Sequence, residues 1–166
     1  MSNLPSIDAA RDALRAHVLQ YSLKTGEFTL KSGRTSKWFL DTKQTACRAD
    51  GILLVADVAL SLLPTEINAI GGLTMGADPV AYGIAAIAAT RGRQLRSFSV
   101  RKEAKDHGVT GRIAGALQPG DKVAIVEDTV TRGLSIFEAV DAVREFGAFP
   151  QFITVIVDRG GTCAQM

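Results

Sequence analysis

Cysteine is scarce in this chain, with Cys47 and Cys163 the two in 166 residues. They form no Cys-x-x-Cys, and no His/Cys spacing suits a metal, so neither a disulfide framework nor a zinc site is indicated. No apolar run approaches the ~18 residues of a membrane span, and the N-terminus lacks a basic-then-apolar leader. A cytoplasmic protein working without a membrane is therefore expected. A net charge of +2 is too small to point to nucleic acid. Walker A, G-x-G-x-x-G, H-E-x-x-H and G-x-S-x-G are all missing, which removes several common enzyme readings. No linker or internal repeat is visible.

What remains has the balance of one globular domain spanning 1–166, with 46% hydrophobic and 22% charged residues. A chain of this length buries roughly two thirds of the surface it exposes unfolded. Ser6 is the expected N-cap of a helix in which Ile7, Ala10, Leu14, Val18 and Tyr21 recur at helical spacing. His17, beside that apolar face, reads as a packing or surface residue. Phe28–Leu30 and Lys37–Leu40 read as strands around a Ser32-Gly33 turn. A helix from Asp50 to Leu63 ends at Pro64, and Glu66–Ile70 is a strand running into Gly71-Gly72. Pro79 opens a helix through Ala89. Leu95–Val100 is a strand, and the polar segment Arg101–Gly115 after it shows no apolar period. Lys122–Val126 is a strand, Ser135–Phe146 a helix ended by Gly147, and Gln151–Val157 the next strand. Strands alternating with helices predict an α/β fold with a mainly parallel sheet. The turns after its strands would then share one edge.

The densest chemistry lies at Val123-Ala124-Ile125-Val126-Glu127-Asp128-Thr129-Val130-Thr131-Arg132-Gly133-Leu134-Ser135. A buried strand ends in two acids, and a hydroxyl-rich loop then leads into a helix. Ligands of open α/β sheets bind at the carboxyl ends of strands. A loop entering a helix N-terminus offers backbone N–H groups and a favourable dipole to phosphate. Adjacent carboxylates accept hydrogen bonds from vicinal hydroxyls, so the pair beside a phosphate nest suits a phosphorylated ribose. The competing reading is a buried strand with a solvated acidic turn, and receiver domains also end strands in paired acids.

This stretch resembles the signature of the type I phosphoribosyltransferases: apolar strand, two acids, two residues, Thr, a small residue, two glycines and a hydroxyl residue. Arg132 stands at the small position and Leu134 at the second glycine, while Thr131, Gly133 and Ser135 match. Arg101-Lys102-Glu103-Ala104-Lys105-Asp106-His107-Gly108 is similar to the mobile catalytic loop of the orotate phosphoribosyltransferases. Phe28-Thr29-Leu30-Lys31-Ser32-Gly33-Arg34-Thr35-Ser36 and Val157-Asp158-Arg159 resemble two further segments of that family. The matches run from about residue 28 to 160, nearly the whole chain.

The resemblance implies the type I phosphoribosyltransferase fold, with a small hood at about 1–45 over a core at about 46–166. It implies a pentosyltransferase that converts orotate and 5-phosphoribosyl 1-pyrophosphate to orotidine 5′-phosphate and pyrophosphate in pyrimidine (UMP) biosynthesis. The 5′-phosphate would sit in the nest formed by Thr129, Val130, Thr131, Arg132, Gly133, Leu134 and Ser135. Glu127 and Asp128 would take the ribose hydroxyls, with Asp128 near the cationic sugar that develops. Lys31, Arg101, Lys102, Lys105 and His107 would hold the ribosyl donor. Among these, Lys105 and His107 would act on the departing pyrophosphate, His107 as a possible general acid. Mg²⁺ would be held mainly by substrate and water rather than by a protein cage. Thr131 and Arg159 would bind orotate. The Arg101–Gly115 loop would act across the subunits of a homodimer. Other branches of the family carry a lysine after the Gly71 strand, on the pyrophosphate side. Here Met75, Gly76 and Asp78 stand there, so that cation is missing or supplied elsewhere. Phe39 and Leu40 occupy aromatic hood positions of the family. Competing readings are a phosphoribosyltransferase for another base, or a non-catalytic regulator that senses the ribosyl pyrophosphate.

Overall fold

A computed structural model describes residues 6–29, 33, 35–105, 111–161 and 163, without the side chain of Lys105. The first helix, α1 (Ile7–His17), starts at Ser6, whose hydroxyl accepts from the Ala9 N–H, and a π-helical turn continues it over Val18–Ser22. Next come the antiparallel strands β1 (Leu23–Thr29) and β2 (Thr35–Leu40). The first begins five residues earlier than its apolar residues suggest, because Leu23, Lys24 and Thr25 pair with Leu40, Phe39 and Trp38. A single turn of helix, α2 (Lys43–Ala46), was not foreseen and proves central to the site.

The core alternates as expected: α3 (Ala49–Leu62), β3 (Ala69–Leu73), α4 (Ala77–Thr90), β4 (Arg96–Lys105), β5 (Gly111–Gly115), β6 (Lys122–Val130), α5 (Leu134–Glu145) and β7 (Phe149–Asp158). The five-stranded sheet has the order β5-β4-β3-β6-β7, parallel throughout except for β5. Its residues alternate between two apolar layers, as a period of two requires. Val123 and Ile125 face α5 with Phe98, Ile136 and Val143, while Ala124 and Val126 face α3 and α4 with Ile70, Val55 and Ile84. Burial on both faces explains why these strands read as unbroken apolar runs.

Three expectations need correction. Gly71 and Gly72 are interior residues of β3, not a turn after it. A Cβ on Gly71 would stand 2.7 Å from the Phe98 ring, and one on Gly72 would meet Ala77 and the Val126 carbonyl. Glycine here admits close neighbours rather than a bend. Second, the paired acids do not follow their strand: β6 runs on to Val130, with Glu127 opposite Val155 and Thr129 opposite Val157. Third, the described parts of 101–115, residues 101–105 and 111–115, pair as a two-stranded ribbon. Strand β4 continues past Val100 to Lys105, and β5 returns antiparallel, Val100 opposite Ile113 and Lys105 opposite Gly111. Beyond Val100 most described side chains are exposed, so no apolar period marks the strand.

Candidate active site

Parallel β3, β4, β6 and β7 deliver their carboxyl ends to one edge. There β6 presents Glu127 and Asp128, both nearly buried. The Asp128 N–H donates to Glu127 Oε1 at 3.1 Å, and the Thr129 N–H donates to Asp128 Oδ1 at 2.8 Å. Asp128 Oδ2 receives two more bonds, from the Thr42 hydroxyl at 2.9 Å and from Lys43 Nζ at 2.8 Å. Thr42 has one proton to give, so the 2.8 Å contact between its Oγ1 and Thr129 Oγ1 is donated by Thr129. Thr42 stands at the N-terminus of α2 yet does not cap it. Its hydroxyl serves the carboxylate instead.

The two acids therefore differ in charge. Burial opposes ionisation of Asp128, but hydrogen bonds from Lys43 and Thr42 outweigh it and hold this carboxyl below the usual range. Burial pushes Glu127 up to about 7; a bond from Ser135 opposes the shift and the neighbouring Asp128 adds to it. The Lys43 ammonium is in turn held in its charged form by its bond to Asp128. Near neutrality the site thus keeps one fixed carboxylate beside one that takes up a proton readily.

The turn after β3 closes against this pair. A Cβ on Gly76 would lie 2.6 Å from Asp128 Oδ1 and would also collide with Glu127 Oε1. Asp78 below it accepts from the Thr74 hydroxyl at 2.7 Å and the Ser99 hydroxyl at 2.6 Å. After β6, Gly133 takes the positive φ of 75° and Leu134 is already helical, so leucine at the second glycine position meets no backbone conflict. Thr131, Arg132 and Leu134 are exposed around the opening of α5, and Ser135 turns to Glu127.

Arg159 follows β7. Its N–H donates to the Val130 carbonyl at 2.9 Å, and its guanidinium carbon sits 4.5 Å from the Trp38 ring centroid. The hood ring that meets Arg159 is therefore Trp38, while Phe39 packs on Phe28 with ring centroids 5.7 Å apart. Arg101 and Lys102 lie on the β4–β5 ribbon, where Arg101 Nη1 donates to the Gly111 carbonyl at 3.3 Å. Lys31 and His107 fall outside the described residues, as does the Lys105 side chain.

The structure thus gathers Glu127, Asp128, Thr129 and Ser135, with Val130 and Arg159 adjoining them. Sequence reasoning missed Thr42, Lys43, Trp38 and the close approach of Gly76. The polar run Asp41-Thr42-Lys43 directly after a strand was the available signal for two of them. Among the described residues no group of three or more His, Cys, Asp or Glu could hold a metal, and no helix is long and apolar enough to cross a membrane.

No protein-family model matches the chain. It is 41% identical over 160 residues to the orotate phosphoribosyltransferase of Streptomyces avermitilis, covering 96% of this chain and 88% of that protein. The crystal structure of Mycobacterium tuberculosis orotate phosphoribosyltransferase with Fe(III) dicitrate superposes with a TM-score of 0.83 at 34% identity, covering 94% of this chain and 89% of that one. The same enzyme bound to 5-phospho-α-D-ribosyl 1-diphosphate gives a TM-score of 0.77 at 31% identity, with 94% and 87% covered.

Proposed function

The chain belongs to the orotate phosphoribosyltransferases, enzymes of pyrimidine biosynthesis with the type I phosphoribosyltransferase fold, and we propose that Glu127 and Asp128 receive the ribose of 5-phosphoribosyl 1-pyrophosphate. Orotate displaces pyrophosphate at C1 of that ribose to give orotidine 5′-phosphate. The observation that carries the reading is the unequal acid pair, one carboxylate fixed by Thr42 and Lys43 and the other protonated with ease, directly before a helix-opening loop. Asp128 faces the sugar ring as positive charge develops on it and stabilises that charge without rearranging, because three hydrogen bonds already hold it. Protonated Glu127 donates to a ribose oxygen, and ionised Glu127 accepts from a ribose hydroxyl.

The 5′-phosphate is received at 129–135, where the loop hands N–H groups to it at the start of α5. Arg159 takes the carboxylate of orotate, kept in place by its backbone bond to Val130 and by Trp38. Thr131, at the loop mouth, contacts the base. Arg101, Lys102, Lys105 and His107 receive the pyrophosphate, the segment 101–115 closing over it as it leaves. Lys31 contributes from the hood. The ribbon works across subunits in a homodimer, and the enzyme is cytoplasmic.

Magnesium fits this donor set. Glu127 and Asp128 would offer it carboxylate oxygens, with no group of three His, Cys, Asp or Glu among the described residues to cage it, and substrate and water would supply the rest. When bound, it neutralises part of the pyrophosphate charge. The deciding assay follows orotate consumption spectrophotometrically with the ribosyl donor and Mg²⁺, in parallel with hypoxanthine. Turnover of orotate alone is expected, and turnover of hypoxanthine instead would overturn the assignment.

A further inference from the structure

We propose that Lys43 is the pyrophosphate-side cation of this site, held ready on Asp128 and donating to the leaving group of the ribosyl donor. The inference rests on the reaction just described and starts from a gap in charge. From Ala49 to Thr90 the chain carries no Lys or Arg, although Asp50, Asp57, Glu66 and Asp78 occur there. The turn at 74–76, which abuts the acid pair, lies inside that stretch. The charge nearest to it within that stretch of sequence is Asp78, already engaged with Thr74 and Ser99. A leaving group that gains negative charge beside this turn meets backbone and a carboxylate, so its counter-charge has to come from another element.

Lys43 is placed to supply it. Gly76 abuts Oδ1 of Asp128, and Lys43 Nζ binds Oδ2 of the same carboxylate at 2.8 Å. The ammonium and the turn therefore flank one side chain. An ammonium has three N–H donors, and Asp128 takes one. The Lys43 side chain is 42% exposed, so the others can meet a ligand without breaking the contact.

Its base is fixed as well. Thr42 beside it is tied to Asp128 and Thr129. Two residues further on, Thr45 accepts or donates at 3.1 Å with His17 Nδ1 and at 2.7 Å with Ser22 Oγ. A mobile four-carbon stem on an anchored backbone is what tracking a departing anion requires. The contact with Asp128 also keeps the ammonium near the acids when no ligand is present.

A positioning role confined to Asp128 would look the same in turnover, so the test uses ligands that separate the two halves of the donor. Calorimetry with Mg²⁺-pyrophosphate and, separately, ribose 5-phosphate is run on the wild-type protein and on K43M, K43Q and K43R. K43M should lose about tenfold or more in pyrophosphate affinity, the worth of one charge-assisted contact, with ribose 5-phosphate binding falling far less. K43R should recover most of the loss. K43Q, which keeps a hydrogen bond to Asp128 without the charge, should behave as K43M does and serves if K43M fails to fold. Unchanged pyrophosphate binding in a folded K43M or K43Q protein would overturn the inference. Wild-type protein that binds pyrophosphate through Lys43 but does not turn over orotate would instead refute the reaction and leave Lys43 in its role.

Discussion

The guanidinium of Arg159 rests 4.5 Å from the centroid of the Trp38 ring, joining the end of the last core strand to the N-terminal hairpin. Under the proposed assignment, removing the arginine would leave an orotate carboxylate without its partner, roughly 1.5–3 kcal/mol for a hydrogen bond to a charged group. Arg159→Ala should therefore raise the KM for orotate by about ten- to a hundredfold and that for the ribosyl donor far less. Trp38→Ala removes only the platform. A partly exposed cation–π contact contributes about 0.5–1 kcal/mol, so a two- to fivefold rise confined to orotate is expected. Equal rises for both substrates would contradict the base-side assignment.

Asp128→Asn retains a hydrogen-bonding shape and loses the charge. Turnover should fall on the order of 10²–10³, the range for one preorganised electrostatic group, while circular dichroism stays native. Near-normal turnover in a folded variant would take Asp128 out of the chemistry.

Glu127 sets a pH slope on stability. Its folded pKa of about 7 lies above its ordinary value of 4.5, so the folded state binds more protons between those limits. Stability from this group is full below about pH 4.5 and is lost as pH rises through 7. Glu127→Gln should remove that slope. The variant should gain on the wild type by roughly 1–3 kcal/mol at pH 8, after allowance for solvent screening, and the gain should shrink toward pH 5. Parallel thermal melts at the two pH values would show it, and identical slopes would refute the raised pKa.

Gly76→Ala adds one carbon where both acids already stand, 2.6 Å from Asp128 Oδ1. The turn or the carboxylates must shift, and a misplacement near 1 Å can lower rate by as much as about a hundredfold. A drop in kcat/KM for the ribosyl donor with an unchanged melting temperature is expected. Wild-type kinetics would mean the turn yields freely.

The proposed homodimer is testable by mixing. Lys105→Ala alone should slow the chemical step about 30- to 150-fold, for a lost charge-assisted contact. Hybrids with Asp128→Asn protein would hold one site damaged twice and one intact if the ribbon crosses subunits. Activity should then rise toward half the native value per hybrid dimer. Absence of recovery, with exchange verified by mass, would place the ribbon on its own subunit.

The legible parts of this molecule are those whose signal is contiguous. Val123 to Ser135 carries strand, acids, loop and helix start in one run, so its place at the sheet edge could be foreseen. The ribbon could not: beyond Val100 the described side chains of β4 leave the core, and its pairing with β5 runs through backbone bonds that leave no side-chain pattern. Gly71 and Gly72 read as a bend because glycine signals both turning and crowding, and only the Phe98 ring shows which applies. Lys43 was hidden by distance, being 85 residues from its partner in sequence and 2.8 Å from it in space.

A helix of four residues is too short to stabilise itself, since one turn of backbone bonds does not offset the ordering of its residues. The form of α2 is borrowed from its neighbours, with Thr45 gripped by His17 and Ser22 on one side and Thr42 by Asp128 on the other. The first helix belongs to none of the five strands, yet its removal should loosen the Asp128 carboxylate through His17, Thr45 and Thr42. By that measure the support of the candidate site reaches back into the amino-terminal helix, through His17 and Thr45.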